Sequence, residues 1–236
     1  MRRLYWENTY AFEHRATITE IGSDPLGSYL RLDASIFHPQ GGGQPSDEGS
    51  INGQVVTQLV DLRELNEINH YLTDVSSFKV GDSVHLQIDG KKRLEYAALH
   101  TAGHLTGDVL RFEYDYKQVL GANHFPKQAK VEYQLDGHSV SKDELCAKIK
   151  ETLSKTRKVT EIYDANQRRT IQIEGLGEEA CSGTHVQSTD EIDAEHFQIR
   201  KIETKGGRLK VGYDAKYKAA LREHGHGTQI EIASKN

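Results

Sequence analysis

Apolar and polar positions alternate in short runs over the first ninety residues of this 236-residue chain. The pattern predicts strands over 10–21, 28–33, 55–63, 68–73 and 83–89, each partly alternating or rich in β-branched residues, with Gly, Asn, Asp or Pro between them. Strands this short and evenly spaced are expected to form a small β-barrel over residues 1–90. The period then changes. Leu94, Ala97, Ala98, Leu105 and Val109 recur at helical spacing, which predicts a helix over 91–112. No Pro- or Ser-rich linker precedes it, so a second domain, 91–236, is expected to pack directly on the first. Val131, Tyr133 and Leu135 mark a strand over 128–135. Ser141-Lys-Asp-Glu144 reads as a capping box opening a helix whose inner stripe is Leu145, Ile149 and Leu153. A further strand at 170–174 and a hairpin of 197–203 with 208–213 complete the pattern. The fold class is therefore α+β: an N-terminal small β-barrel followed by a two-layer α/β domain with an antiparallel sheet.

Composition narrows the class of protein. Hydrophobic residues make up 36% and charged residues 28%, as in a globular protein. No run approaches the roughly 18 apolar residues of a membrane span, and Met1-Arg-Arg-Leu-Tyr-Trp6 lacks the apolar core of a signal peptide, so a cytoplasmic location is expected. Two cysteines, Cys146 and Cys181, are too few for a disulfide framework. The net charge is −5, but it is unevenly spread: residues 1–90 hold six Lys and Arg against thirteen Asp and Glu. Between Arg200 and Arg222, eight basic residues stand against Glu203 and Asp214, a local excess suited either to RNA phosphates or to an ordinary solvated face.

Two separated pairs carry the candidate chemistry. His100-Thr-Ala-Gly-His104 places two imidazoles at i and i+4, on one face of the expected helix and beside its apolar stripe. Cys181-Ser-Gly-Thr-His185 adds a thiol and a third imidazole in a loop of small residues. Imidazole nitrogen and thiolate are the donors zinc prefers, so His100, His104, Cys181 and His185 form a candidate site for one Zn2+ per chain. The pattern differs from His-Glu-x-x-His, whose Glu acts as a general base, because Thr101 follows His100; no peptidase activity is expected. Cys146 has no partner at metal spacing and reads as a buried small side chain. Asp108, one turn beyond His104, is a candidate to orient an imidazole or else an exposed helical residue, and His124 is a candidate neighbour of the pocket that reads as structural by default. Gly41-Gly-Gly-Gln44 lacks both the Gly-Lys-Ser/Thr ending of a phosphate loop and a dinucleotide fingerprint.

With His100-x3-His104 and Cys181-x3-His185 stand two further motifs, Gly41-Gly-Gly-Gln-Pro-Ser-Asp-x-Gly49 and Lys205-Gly-Gly-Arg208. Their combination, in this order and over nearly the whole chain, resembles the medium-length freestanding alanyl-tRNA editing proteins of the AlaX family. That resemblance implies a trans-acting, zinc-dependent hydrolase that deacylates tRNA(Ala) wrongly charged with serine, and sometimes with glycine. It also implies that residues 91–236 are the editing domain and that Gly41, Gly42, Gly43, Gln44 and Asp47 belong to the substrate pocket. Gln44 and Asp47 are the polar groups expected to admit a seryl hydroxyl. Thr101 either contacts the amino acid or bonds its own helix backbone. Lys205, Gly206, Gly207, Arg208 and Lys210 are the expected tRNA contacts, although such a turn is equally an ordinary exposed one. Water held at the metal, with no side chain assigned as acid or base, would carry the hydrolysis. Two other readings stay open: a non-catalytic tRNA-binding module tied together by zinc, and an editing deacylase of threonyl-type specificity.

Overall fold

A computed structural model describes residues 1–165 and 168–218. The elements run β1 (Arg2–Arg3), α1 (Leu4–Glu7), β2 (Glu13–Asp24), β3 (Gly27–Leu32), β4 (Ala34–Ser35), β5 (Gly49–Ile51), β6 (Gln54–Val55), β7 (Gln58–Leu62), β8 (Glu67–Leu72) and β9 (Ser83–Ile88). They continue with α2 (Gly90–Tyr114), β10 (Val119–Asn123), β11 (Lys130–Gln134), α3 (Lys142–Leu153), β12 (Val159–Tyr163), β13 (Arg169–Ile173), β14 (Glu178–Ala180), β15 (Gln198–Lys205) and β16 (Arg208–Asp214). The fold is mixed, with helices and several antiparallel sheets.

The first half forms one seven-stranded antiparallel sheet in the order β6-β5-β9-β2-β3-β8-β7. The expected closed barrel is not found. Its edge strands β6 and β7 are consecutive in the chain, joined only by Val56 and Thr57, so the sheet curls until its edges meet at one corner. No ladder joins them, because the two-residue β6 offers β7 no run of free backbone groups. The expected strand at 55–63 is broken for the same reason: Val56 bonds back to Gly49 on one edge and Thr57 to Tyr71 on the other. The inner face carries a core that includes Leu30, Leu32, Ile68, Val84 and Leu86.

The second half holds a four-stranded antiparallel sheet, β10-β11-β16-β15, and a three-stranded one, β12-β13-β14. Helix α2 packs on β11, and α3 packs on β15 and α2. Alternation along β16 sends Leu209, Val211 and Tyr213 into a core shared with Val131 and Tyr133 of β11 and with Leu145, Ile149 and Leu153 of α3. Asp89 caps α2 by accepting from the Lys92 N–H at 3.0 Å, and Ser141 caps α3 through the Glu144 N–H at 3.2 Å. From Ala97 to Leu110 every α2 residue but His104 is buried. This helix is enclosed on all sides, which blurs the amphipathic stripe expected from the sequence and puts His100 and His104 at the heart of the molecule. Among the described residues, no helix is long and apolar enough to cross a membrane.

Candidate metal centre

The metal-ligating atoms of His100, His104, Cys181 and His185 all lie within 4.8 Å of one another. The two histidines of α2 come from successive turns, and their rings stack with centroids 5.2 Å apart. The Cys181 loop is brought to them by residues far away in sequence. Arg169 of β13 donates through Nη1 to the Cys181 and Gly183 carbonyls, each at 2.9 Å, and Trp6 Nε1 donates to the Ser182 carbonyl at 2.9 Å. Gln44 completes the clamp: its Nε2 donates to Thr184 Oγ1 at 2.8 Å, and its Oε1 accepts from the Thr184 N–H at 3.0 Å. A side chain at Gly183 would place a Cβ 2.2 Å from the His100 ring, which is why a residue without one stands in the loop.

Hydrogen bonding orients all three imidazoles alike. His100 Nδ1 lies 2.8 Å from Gln44 Oε1 and His104 Nδ1 lies 3.1 Å from Glu179 Oε2; both oxygens can only accept, so each Nδ1 carries the proton. His185 Nδ1 lies 3.2 Å from Thr101 Oγ1, whose own proton goes to the Ala97 carbonyl at 2.9 Å. The His185 proton therefore also sits on Nδ1. In its neutral form each imidazole then has its lone pair on Nε2, the atom left to bind a metal. Cys181 Sγ is 3.3 Å from Nε2 of both His100 and His185. Donors held about 2.0 to 2.3 Å from one tetrahedral ion are about 3.3 to 3.6 Å apart, so these two separations match the edge of such a polyhedron. His104 Nε2 is buried and has no hydrogen-bond partner among the described residues. A cation at the centre would satisfy it.

Burial holds His100 and His185 well below the usual imidazole range, with neighbouring histidines adding to the effect in both. Burial opposes a charge on His104 too, but the nearby Cys181 sulfur and the Glu179 carboxylate bonded to it carry it up to about 10. Glu179 is lowered by its hydrogen bond to His104. The cluster thus combines two neutral imidazoles with a field from a thiol and a carboxylate that favours positive charge at the third.

The expected substrate residues lie close by, and their polar side chains make bonds within the protein. Gly42 and Gly43 have φ of +58° and +74°, and a Cβ on either would come within 2.9 Å of Ser182 Oγ or the Ala122 carbonyl. Gly41 closes the same turn through two backbone bonds with Gln44, at 3.0 and 3.1 Å. Gln44 does not present a free amide to the pocket, since both ends of it are bonded to His100 and Thr184. Asp47 is buried against the fully buried Arg93 of α2 and accepts the His38 N–H at 2.6 Å. Thr101 takes the backbone-bonding alternative and orients His185. The Asp108 reading fails in both forms: the residue is buried, but it bonds Arg111 at 3.1 Å and the Gly177 N–H at 3.2 Å, while Glu179 serves His104. Lys205, Gly206, Gly207 and Arg208 form the exposed tip of the β15–β16 hairpin, and Lys210 lies 3.6 Å from Glu132. Arg208 is five residues along β16 from Tyr213, so the tip stands about 17 Å from the row beside the cluster. Arg222 lies outside the described residues.

Three contributors were not expected, Trp6, Arg169 and Glu179, while His124, read from the sequence as structural by default, lines the same cavity. Glu179 carries a signal in retrospect, standing two residues before Cys181 on a short strand. The others do not, because only the tertiary fold brings them in. A cavity of about 460 Å³ opens on the cluster, lined among others by Trp6, His100, His104, His124, Glu179 and Cys181.

Comparison with known proteins decides the family. The chain is 32% identical over 205 residues to the alanyl-tRNA editing protein AlaX-M of Pyrococcus horikoshii, covering 81% of this chain and 87% of that one. The chain belongs to the AlaX-M family of alanyl-tRNA editing proteins. It is also 28% identical over 233 residues to AlaX-M of Methanosarcina barkeri, covering 86% and 93% of the two chains. The similarity reaches the alanine–tRNA ligase of Methanococcus vannielii, 31% identical over 230 residues that make up 85% of this chain and 24% of the ligase. No family model matches the chain. The AlaX-M relatives share their likeness over both the curled sheet and the metal-centre half.

Proposed function

We propose that this chain is a zinc-dependent hydrolase that deacylates Ser-tRNA(Ala), and secondarily Gly-tRNA(Ala), in trans. The observation that carries this reading is the gathering of three imidazole nitrogens and one sulfur within 4.8 Å of one another beside a cavity, in a chain of the AlaX-M family. His100, His104, Cys181 and His185 would hold the ion, and the imidazole and thiolate set suits zinc over oxygen-seeking cations. A zinc ion there would polarise the ester carbonyl and lower the pKa of water, which is enough for an activated aminoacyl ester. The protein's own part is positioning. Gln44, Glu179 and Thr101 hold the imidazoles in register, as outer partners of ligands generally do. The Gly41–Gly43 wall would leave space for the aminoacyl group, and the exposed Lys205-Gly-Gly-Arg208 tip, with Lys210, would meet phosphates away from the reacting bond. In this reading residues 1–90 and 91–236 are two units that close on one site, the first supplying Trp6 and Gln44 to the second. The protein would act in the cytoplasm on tRNA charged elsewhere.

One observation favours a second reading. Four protein donors already fill a tetrahedron, whereas catalytic zinc normally keeps a position open, so the ion could be structural and the chain a tRNA-binding module. The test is hydrolysis of Ser-, Gly- and Ala-tRNA(Ala) and of Ser-tRNA(Thr), with and without chelator. Chelator-sensitive turnover of the first two alone supports the proposal. Absence of turnover on all four removes it, and turnover of Ser-tRNA(Thr) redirects it to threonyl-type editing.

A further inference from the structure

The oxygens of Gln44 and Asp47 are already committed, so the seryl hydroxyl needs another partner. A different polar atom in the cavity wall is free. His124 follows strand β10 and is 3% exposed, and its ring stacks on His100 with centroids 4.0 Å apart. Its backbone N–H donates to the Gly43 carbonyl at 2.8 Å, so it stands at the wall formed by the glycine-rich loop. His124 Nδ1 lies 2.6 Å from Tyr213 Oη, and that hydroxyl donates its one proton to the Leu99 carbonyl at 3.2 Å. With the hydroxyl proton on the Leu99 carbonyl, which can only accept, Nδ1 carries the imidazole proton and donates it to Tyr213, and Nε2 is left as an acceptor. Among the described residues nothing bonds Nε2, and His124 lines the cavity. It does not belong to the metal group.

We propose that His124 is a specificity-determining residue that accepts a hydrogen bond at Nε2 from the seryl side-chain hydroxyl, with Tyr213 as the positioning residue that fixes the acceptor. The inference rests on the deacylase reading above. A neutral imidazole acceptor has no counterpart to bind in an alanyl or glycyl group. A site built around a substrate hydroxyl discriminates strongly against analogues that lack it, because its polar atom is left unpaired. Ala122, Val131, Gly42 and Gly103 line the cavity with His124, while its polar residues include Glu179, which is bonded to His104, and Arg169, which is bonded to the Cys181 loop.

The experiment uses the full chain loaded with zinc and measures kcat/KM on Ser-tRNA(Ala) and Gly-tRNA(Ala). Glycine shares every part of the substrate except the side chain and serves as the internal control. His124→Phe keeps a ring on His100 but removes the acceptor; it is expected to lower kcat/KM for the seryl substrate about tenfold or more and the glycyl one by less than about twofold. His124→Gln, which restores an acceptor oxygen, recovers part of the loss, and Tyr213→Phe gives an intermediate shift of the same ratio. A binding measurement adds a readout separate from turnover: non-hydrolysable 3′-seryl-amino-adenosine weakens in parallel, and the glycyl analogue does not. Equal losses on both substrates, an unchanged ratio in all three variants, or loss of zinc from His124→Phe overturns the inference. Should His124→Phe fail to fold, the ratio in His124→Gln and Tyr213→Phe decides. Failure of the parent to hydrolyse either substrate would instead refute the deacylase reading itself, and the inference with it.

Discussion

Asp47→Asn is the substitution that best separates structural from substrate roles in the glycine-rich segment. Asp47 Oδ1 accepts from Arg93 Nε at 2.9 Å, while Oδ2 pairs with Arg93 Nη2 and accepts the His38 N–H at 2.6 Å. Arg93 is fully buried and also donates to the Thr9 carbonyl at 3.1 Å and the Ile36 carbonyl at 2.5 Å. The guanidinium thus ties the start of α2 to the N-terminal segment and to both ends of the glycine-rich loop. In Asp47→Asn the charge of Arg93 loses its counter-charge in a dry site. Either orientation of the new amide also sets an NH2 group against a donor, Nε in one case and Nη2 with the His38 N–H in the other. Removing one partner of such a pair costs about 3 to 5 kcal/mol. Against a total stability of about 5 to 15 kcal/mol that is a large share. With a urea slope of about 2 to 3 kcal/mol/M, the midpoint should fall by more than about 1 M. The double variant Asp47→Leu with Arg93→Met should lose less than the two single variants added together, since it leaves no lone charge. A urea midpoint within about 0.3 M of the parent, with activity on Ser-tRNA(Ala) alone reduced, would refute this and return Asp47 to the substrate pocket.

Three further outcomes follow from the same geometry. Gln44→Met removes the acceptor at His100 Nδ1 and should weaken zinc binding about 10- to 100-fold in a chelator competition, with Glu179→Leu doing the same through His104 and Glu179→Gln doing less. Burial holds His70 down at about 4, against 6.5 when exposed, so its contribution to stability is complete above pH 6.5 and is lost as pH falls toward 4, because the unfolded chain then takes up a proton that the native one refuses. Replacing it as His70→Gln should flatten the fall in unfolding free energy between pH 6.5 and 5 by about 2 kcal/mol, and an identical slope in both proteins would exclude the effect. Lys205→Ala with Arg208→Ala should weaken tRNA binding to seryl and glycyl substrates alike and reduce the slope of log K against log salt by about one for each phosphate no longer neutralised.

Much of this architecture is legible in the sequence. Helix α2 announces itself through Leu94, Ala97, Ala98, Leu105 and Val109, α3 through its Ser141 cap, and the β15–β16 hairpin through the Gly206-Gly207 turn. All three depend on local propensity and short-range pattern. The curled sheet reads as a closed barrel because strand spacing cannot reveal that β6 is two residues long. Strands β10, β12 and β14 leave little pattern, being short, with β10 and β14 largely exposed and β12 mostly half-buried without alternation. In the metal centre, the four donor residues are marked by their spacing, i to i+4 in both pairs. Their outer partners are not. Glu179 displaces Asp108 beside His104 because the three-stranded sheet, rather than the helix turn, delivers the carboxylate. Likewise the roles of Gln44, Trp6 and Arg169 arise from contacts across 140, 176 and 14 residues of chain or fewer, which no one-dimensional pattern encodes.

The central claim is that three imidazoles and one thiolate close on a single zinc ion that hydrolysis requires. Metal analysis with X-ray absorption on the purified protein, paired with deacylation of Ser-tRNA(Ala) by the same sample before and after chelation, tests it most directly. The expected result is one zinc per chain with three nitrogen neighbours at about 2.0 to 2.1 Å and one sulfur at about 2.3 Å, and activity that disappears with the metal and returns with it. A zinc shell without sulfur, or full activity in the metal-free protein, would contradict the account.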